Sequence, residues 1–208
     1  NFITSVAWGR VALVIAVTGF DQLASDESTA CLQNLGNAVR LALGISFVEV
    51  FNSVLGFTRT PIPAVILFSC TRAGVELLVS PMIPCGSWQH LVTVLMWGIG
   101  DFVRFGCFAV DTAFPGVRLA RSVRFTVGPI IFPIGAAGEM FMVIAAAARN
   151  SKPGMYVAAA LWPAFFYPMM QQLLKQRQKH FQSKQKSKEI KAVQHNTFTD
   201  TQVIVSGY

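Results

Sequence analysis

The sequence predicts an all-α fold: a polytopic membrane helix bundle of about six transmembrane spans. Three observations predict it. Of 208 residues, 53 % are hydrophobic and 13 % charged, about half the charge usual in a soluble domain. The mean hydropathy is +0.50. Apolar runs of ~20 residues, long enough to cross a bilayer as helices, alternate with short breaks rich in polar residues, Pro or Gly.

The first span is expected over about Ile3–Phe20, marred only by Arg10, and is followed by an acidic loop with Asp21, Asp26 and Glu27. The second covers about Ala38–Phe57. A turn at Thr58-Arg-Thr-Pro-Ile-Pro63 introduces the third, about Ala64–Pro84, and the fourth follows at about Trp88–Val110. Pro115-Gly116 breaks the chain before the fifth, about Arg118–Ala148, where Pro129 and Pro133 predict kinks tolerated by neighbouring helices. Asn150-Ser-Lys-Pro-Gly154 is a turn, and Met155–Leu174 is the sixth span. Beyond it a Gln/Lys-rich stretch can prolong the helix into water, whereas Asn196–Tyr208 shows no helical pattern. Five or seven spans remain compatible with the long fifth helix and the charged first one.

This divides the chain into a six-helix membrane domain, 1–174, and a basic polar tail, 175–208. Most of the net charge of +7 sits in that tail, which has seven Lys or Arg against Glu189 and Asp200. Arg59, Arg118, Arg121 and the tail fall on one side of the membrane, and the acidic loop, Arg149 and Lys152 on the other. Both termini then lie on the basic side. The basic balance thus fits a membrane-flanking tail rather than a nucleic-acid-binding face. The tail is read either as a positive-inside retention signal or as a contact for anionic lipid or a partner subunit.

Cys31, Cys70, Cys85 and Cys107 form no C-x-x-C pair, and His90, His180 and His195 have no metal-ligand spacing, so neither a metal site nor a cofactor is expected. No Cys-x5-Arg phosphatase loop is present. The chain starts with Asn rather than Met, which raises the expectation of a cleaved organellar presegment.

The candidate chemistry lies in the fifth span. Glu139 is a carboxylate inside the apolar run Phe125–Ala148. Buried in a bilayer, such a group costs a few kcal/mol unless it faces protein or water, so it reads as a functional site. Phe132 lies seven residues earlier, nearly two turns back on the same helix face. Glu49, Arg72, Glu76, Asp101, Arg104 and Arg124 also fall within spans. They are expected to pair inside the bundle or to line an acyl or lipid pocket. Trp162, Phe165, Phe166, Tyr167, Met169 and Met170 read as an interfacial belt.

Phe132-Pro-Ile-Gly-Ala-Ala-Gly-Glu139 resembles the signature of the 3-hydroxyacyl-CoA dehydratases, also called protein-tyrosine-phosphatase-like A. Trp97-Gly-Ile-Gly-Asp-Phe-Val-Arg-Phe-Gly-Cys-Phe108 is similar to that family's Trp-x3-Glu-x2-Arg-Tyr-x2-Tyr, with Asp101 for Glu and Arg104 retained. Arg124-Phe125 resembles a second Arg-Tyr pair, Glu49 and Asn52 a Leu-Glu-x2-His stretch, and Thr71-Arg72 a Ser-Arg pair. The likeness covers roughly residues 5–180.

The resemblance implies that a Tyr/Glu pair, at positions 132 and 139, performs dehydration in fatty-acid elongation. It also implies contact of Arg118, Arg121 and Arg124 with CoA phosphates, although a headgroup-facing stripe explains the same spacing. Yet the tyrosine positions 105, 108, 125 and 132 all hold Phe. That change keeps ring volume and deletes the hydroxyl that moves protons. Two function classes therefore stand. The favoured one is a catalytically inactive, structural accessory subunit of a membrane complex in the mitochondrial inner membrane, respiratory or ATP-synthase in kind, contacting membrane lipids and other subunits. The alternatives are an active very-long-chain dehydratase of the endoplasmic reticulum, with acyl-CoA as its substrate, and a lipid-binding module.

Overall fold

The computed structural model describes residues 2–18, 35–56, 62–84, 86–114 and 117–205. Within them, the side chains of Ala64, Arg118, Arg121, His180, Ser183, Lys184 and everything beyond Gln185 lie outside the description. The acidic loop, Arg59, Cys31 and Cys85 also lie outside the described residues.

The apolar runs fold as six helical segments: α1 (Phe2–Thr18), α2 (Asn37–Val54), α3 (Ile62–Gly74), α4 (Trp88–Ala113), α5 (Arg118–Asn150) and α6 (Pro153–Val205). Among the described residues there is no strand. Three helical stretches are long and apolar enough to cross a membrane: Val65–Met82, Trp88–Ala113 and Ser122–Asn150. Phe2–Val17 is a shorter apolar helix. Every helix also turns large apolar side chains outward, among them Leu13, Phe51, Ile66, Phe102, Ile130 and Leu161. Such surfaces suit lipid, in which only closed backbone structures such as helices persist. The chain is an integral membrane helix bundle.

Local chemistry sets the ends. Gly56, at φ 78°, takes the left-handed conformation that terminates α2, its N–H bonding Ser53 O at 3.2 Å. Ser151 takes the same region at φ 50° and ends α5 before Pro153 opens α6. Two features differ from expectation. α3 passes into a π-helical turn, Val75–Val79, and a short 3-10 turn, Ser80–Met82, a local widening that hydropathy alone does not signal. α6 is helical through Val205: strong helix formers among its Gln, Lys and Ala residues carry it past the apolar span, and it continues through Asn196–Val205, whose Thr, Val and Asn residues have no such propensity.

α4 and α5 pack most extensively, and α4 also packs on α1, α5 on α6, and α2 on α1 and α3. The core collects Trp8, Val11, Val39, Leu91, Val94, Trp97 and Met142, with the Trp8 and Trp97 rings edge-to-face at 6.4 Å. Small residues let α4 approach its neighbours. A Cβ at Gly98 would meet Trp8 O at 3.3 Å, and one at Gly138 would meet Thr93 Oγ1 at 2.4 Å.

Candidate functional site

One face of α4 carries Trp97, Asp101 and Arg104, spaced so that all three point into the bundle. The helices around it supply partners. Arg72, from α3, donates a hydrogen bond to Asp101 Oδ2. Arg104 Nη2 donates to Glu49 Oε1, on α2, at 2.5 Å. Arg72 also lies over the Phe68 ring, 4.2 Å from its centroid. Charge-assisted bonds of this kind compensate ions that lipid would otherwise have to solvate.

On α5, Glu139 is 5 % exposed and accepts a hydrogen bond from Trp97 Nε1 at 2.7 Å. Its second oxygen, Oε2, is buried without a hydrogen-bond partner, as is Trp162 Nε1 on α6. Arg72 is a charged neighbour of this carboxyl, and the Trp162 indole is near enough to act as a second donor to it.

These groups face a cavity of about 340 Å³ between α3, α4, α5 and α6, a size ordinary for small-molecule sites. It brings together Arg72, Asp101, Arg104, Arg124, Phe132 and Glu139. Glu49 lies behind them, lining a much smaller void of about 20 Å³ that Arg72, Asp101 and Arg104 share. Phe132 forms part of an aromatic ladder, stacked on Phe68 at 5.7 Å and edge-on to Phe166 at 5.4 Å. Arg124 lies 3.8 Å over the Phe108 ring. Arg118 and Arg121 are in the first turn of α5, and as candidate phosphate contacts their side chains lie outside the described residues.

Sequence reasoning missed four residues of this site. Trp97 was legible only as a motif position, yet it supplies the hydrogen bond to Glu139. Trp162 and Phe166 read as an interfacial belt, but both line the cavity. Phe68 had no signal beyond its place one turn before Arg72. No group of three or more His, Cys, Asp or Glu side chains comes together among the described residues.

A family model described as protein tyrosine phosphatase-like protein, PTPLA, matches residues 44–183, which span α3, α4 and α5 entirely and much of α2 and α6. Comparisons with curated proteins and with solved structures give no match. The matched region contains every side chain of the cavity wall, and the chain therefore belongs to the protein tyrosine phosphatase-like family, that of the 3-hydroxyacyl-CoA dehydratases.

Proposed function

We propose that this chain is a catalytically silent member of its family, acting as a structural accessory subunit of a membrane complex. One observation supports this above the others. Among the described residues lining the cavity there is no Tyr, His, Cys or Lys, and Glu139 is the one carboxyl not held by an arginine. Dehydrating a 3-hydroxyacyl thioester requires a base for the C2 proton and an acid for the departing C3 hydroxide. Glu139 can fill one role. The resemblance places the second group at Phe132, whose ring ends in carbon and rests against Phe68 and Phe166. Thr71, the nearby hydroxyl of the wall, already donates to Phe68 O at 3.1 Å.

Loss of one general acid–base group lowers rate by about 10²–10⁴. Purified protein is therefore expected to show no turnover of 3-hydroxyacyl-CoA above background, and Phe132→Tyr to raise it by about that factor. Turnover by the unaltered chain that Glu139→Gln abolishes would overturn this reading in favour of an active dehydratase of the endoplasmic reticulum. The complex is tested apart from the chemistry. Extraction in mild detergent should recover the chain in a high-mass assembly that fractionates with the mitochondrial inner membrane, and a lone chain in the endoplasmic reticulum would refute that placement.

A further inference from the structure

The two ends of the cavity differ in chemistry. At the end nearer the start of α5, Arg124 lines the wall. Four ion pairs occur among the described residues, and none includes Arg124. It packs over the Phe108 ring, and its electrostatic neighbours include a second guanidinium, that of Arg104, already bonded to Glu49, and the more distant acids Glu49 and Asp111. A half-buried cation beside another cation is a costly arrangement that an anion relieves. Gln172 and Gln176, one turn apart on α6, line the cavity too and offer amide donors.

Glu139 is fifteen residues further along α5, or about 22 Å of helix. Glu139 Oε2 and Trp162 Nε1, an acceptor and a donor, are both buried there and lie close enough to interact with each other. Between the two ends, Phe125, Phe132, Phe165, Phe166 and Met169 make the side of the wall formed by α5 and α6 apolar, while the Arg72–Asp101 pair lines the side formed by α3 and α4. α3 and α6 face each other across it without extensive packing, and the rings of Phe68, Phe132 and Phe166 bridge them.

From a cation at one end and an apolar α5–α6 side that runs toward the other, we propose that the cavity holds an anionic phospholipid of the surrounding membrane. Its phosphate sits on Arg124, and one acyl chain lies along Phe132 and Phe166. The inference rests on the silent-pocket reading, since a site turning over thioesters would not keep a lipid. The phosphates of a long-chain acyl-CoA share the anion's chemistry, so the test must separate the two sources.

Tryptophan quenching by bromine-labelled lipid does so. Trp97 and Trp162 line the cavity, and Trp88→Phe removes an indole that is 56 % exposed on the outer face. In that background, nanodiscs with a brominated anionic phospholipid should quench at a mole fraction ~10-fold below that of a brominated zwitterionic lipid with the same chains. Arg124→Gln should erase this preference, Arg124→Lys should retain most of it, and Arg177→Gln in the tail should leave it intact. Unlabelled anionic phospholipid should restore fluorescence, and long-chain acyl-CoA should not. Equal quenching by the two lipids, a preference that survives Arg124→Gln, or displacement by acyl-CoA alone would each overturn the proposal. Should Arg124→Gln fail to fold, the unaltered chain's lipid preference and its reversal by unlabelled anionic phospholipid but not by acyl-CoA decide. Dehydratase turnover assayed on the same nanodiscs separates the failures: turnover sinks the silent-pocket reading, while silence without lipid preference sinks this proposal alone.

Discussion

Glu139 and Glu76 are carboxylates buried in one bundle, 5 % and 1 % exposed, and each keeps an oxygen without a hydrogen-bond partner. Glu139 opens onto a cavity of about 340 Å³. Glu76, in the π turn after α3, lines neither cavity described here. Side chains close around it instead. His90 Nε2 lies 3.6 Å from Glu76 Oε2, Ser80 Oγ lies 3.3 Å from the same nitrogen, and Arg40 Nε approaches Glu76 Oε1 at 4.0 Å. Burying a charge marks a residue as a candidate, but both of these are buried. Room beside the charge is what separates a site from a structural polar contact.

The comparison is sharpest when one partner is removed from each carboxylate. His90→Phe fills the ring volume but strips Glu76 and Ser80 of their shared nitrogen in a place that neither cavity reaches. Deleting one partner of a buried polar group that cannot be rehydrated should destabilise the bundle by about 3 kcal/mol, read from unfolding in detergent. Trp97→Phe removes the indole N–H from Glu139 while leaving a ring against Trp8. Here the cavity admits water to the freed oxygen, so the loss should be about 1 kcal/mol. Equal losses at the two positions would break the distinction, since room would then have no energetic consequence.

How far the sequence foretold this arrangement follows from what each feature depends on. Hydropathy and the Pro/Gly breaks placed all six helices within a few residues at most ends, because a lipid-facing helix must be apolar along its length. The same logic failed at the tail, where α6 stays helical to Val205 without any apolar requirement. The motif residues on α4 and α5 were legible as a family pattern, and they converge because their spacing keeps them on inward faces. Contacts between distant segments were not. Glu76 and His90 stood in the sequence as an isolated carboxylate and a lone imidazole, joined only by a π turn that reorients α3. Trp162 read as a membrane-surface aromatic because a Trp near the end of a span is usually that; its place over the cavity depends on how α6 packs on α5.

Arg40 gives the mildest test of the same contrast. Its side chain is 48 % exposed, and its nitrogen stands 4.0 Å from Glu76 Oε1, at the limit of an ion pair. If Glu76 depended on this cation, the cluster would be an ion pair reaching the protein surface, and the arginine would be as important as His90. The geometry argues otherwise. Only one end of the pair is buried, and the long, exposed side chain loses rotamer freedom to hold its position. Arg40→Gln should therefore change stability by less than ~1 kcal/mol, with the His90→Phe loss undiminished in the double variant. A loss for Arg40→Gln as large as that for His90→Phe would move the anchor of Glu76 from α4 to α2, and the cluster would then be held by charge from outside rather than by close packing within.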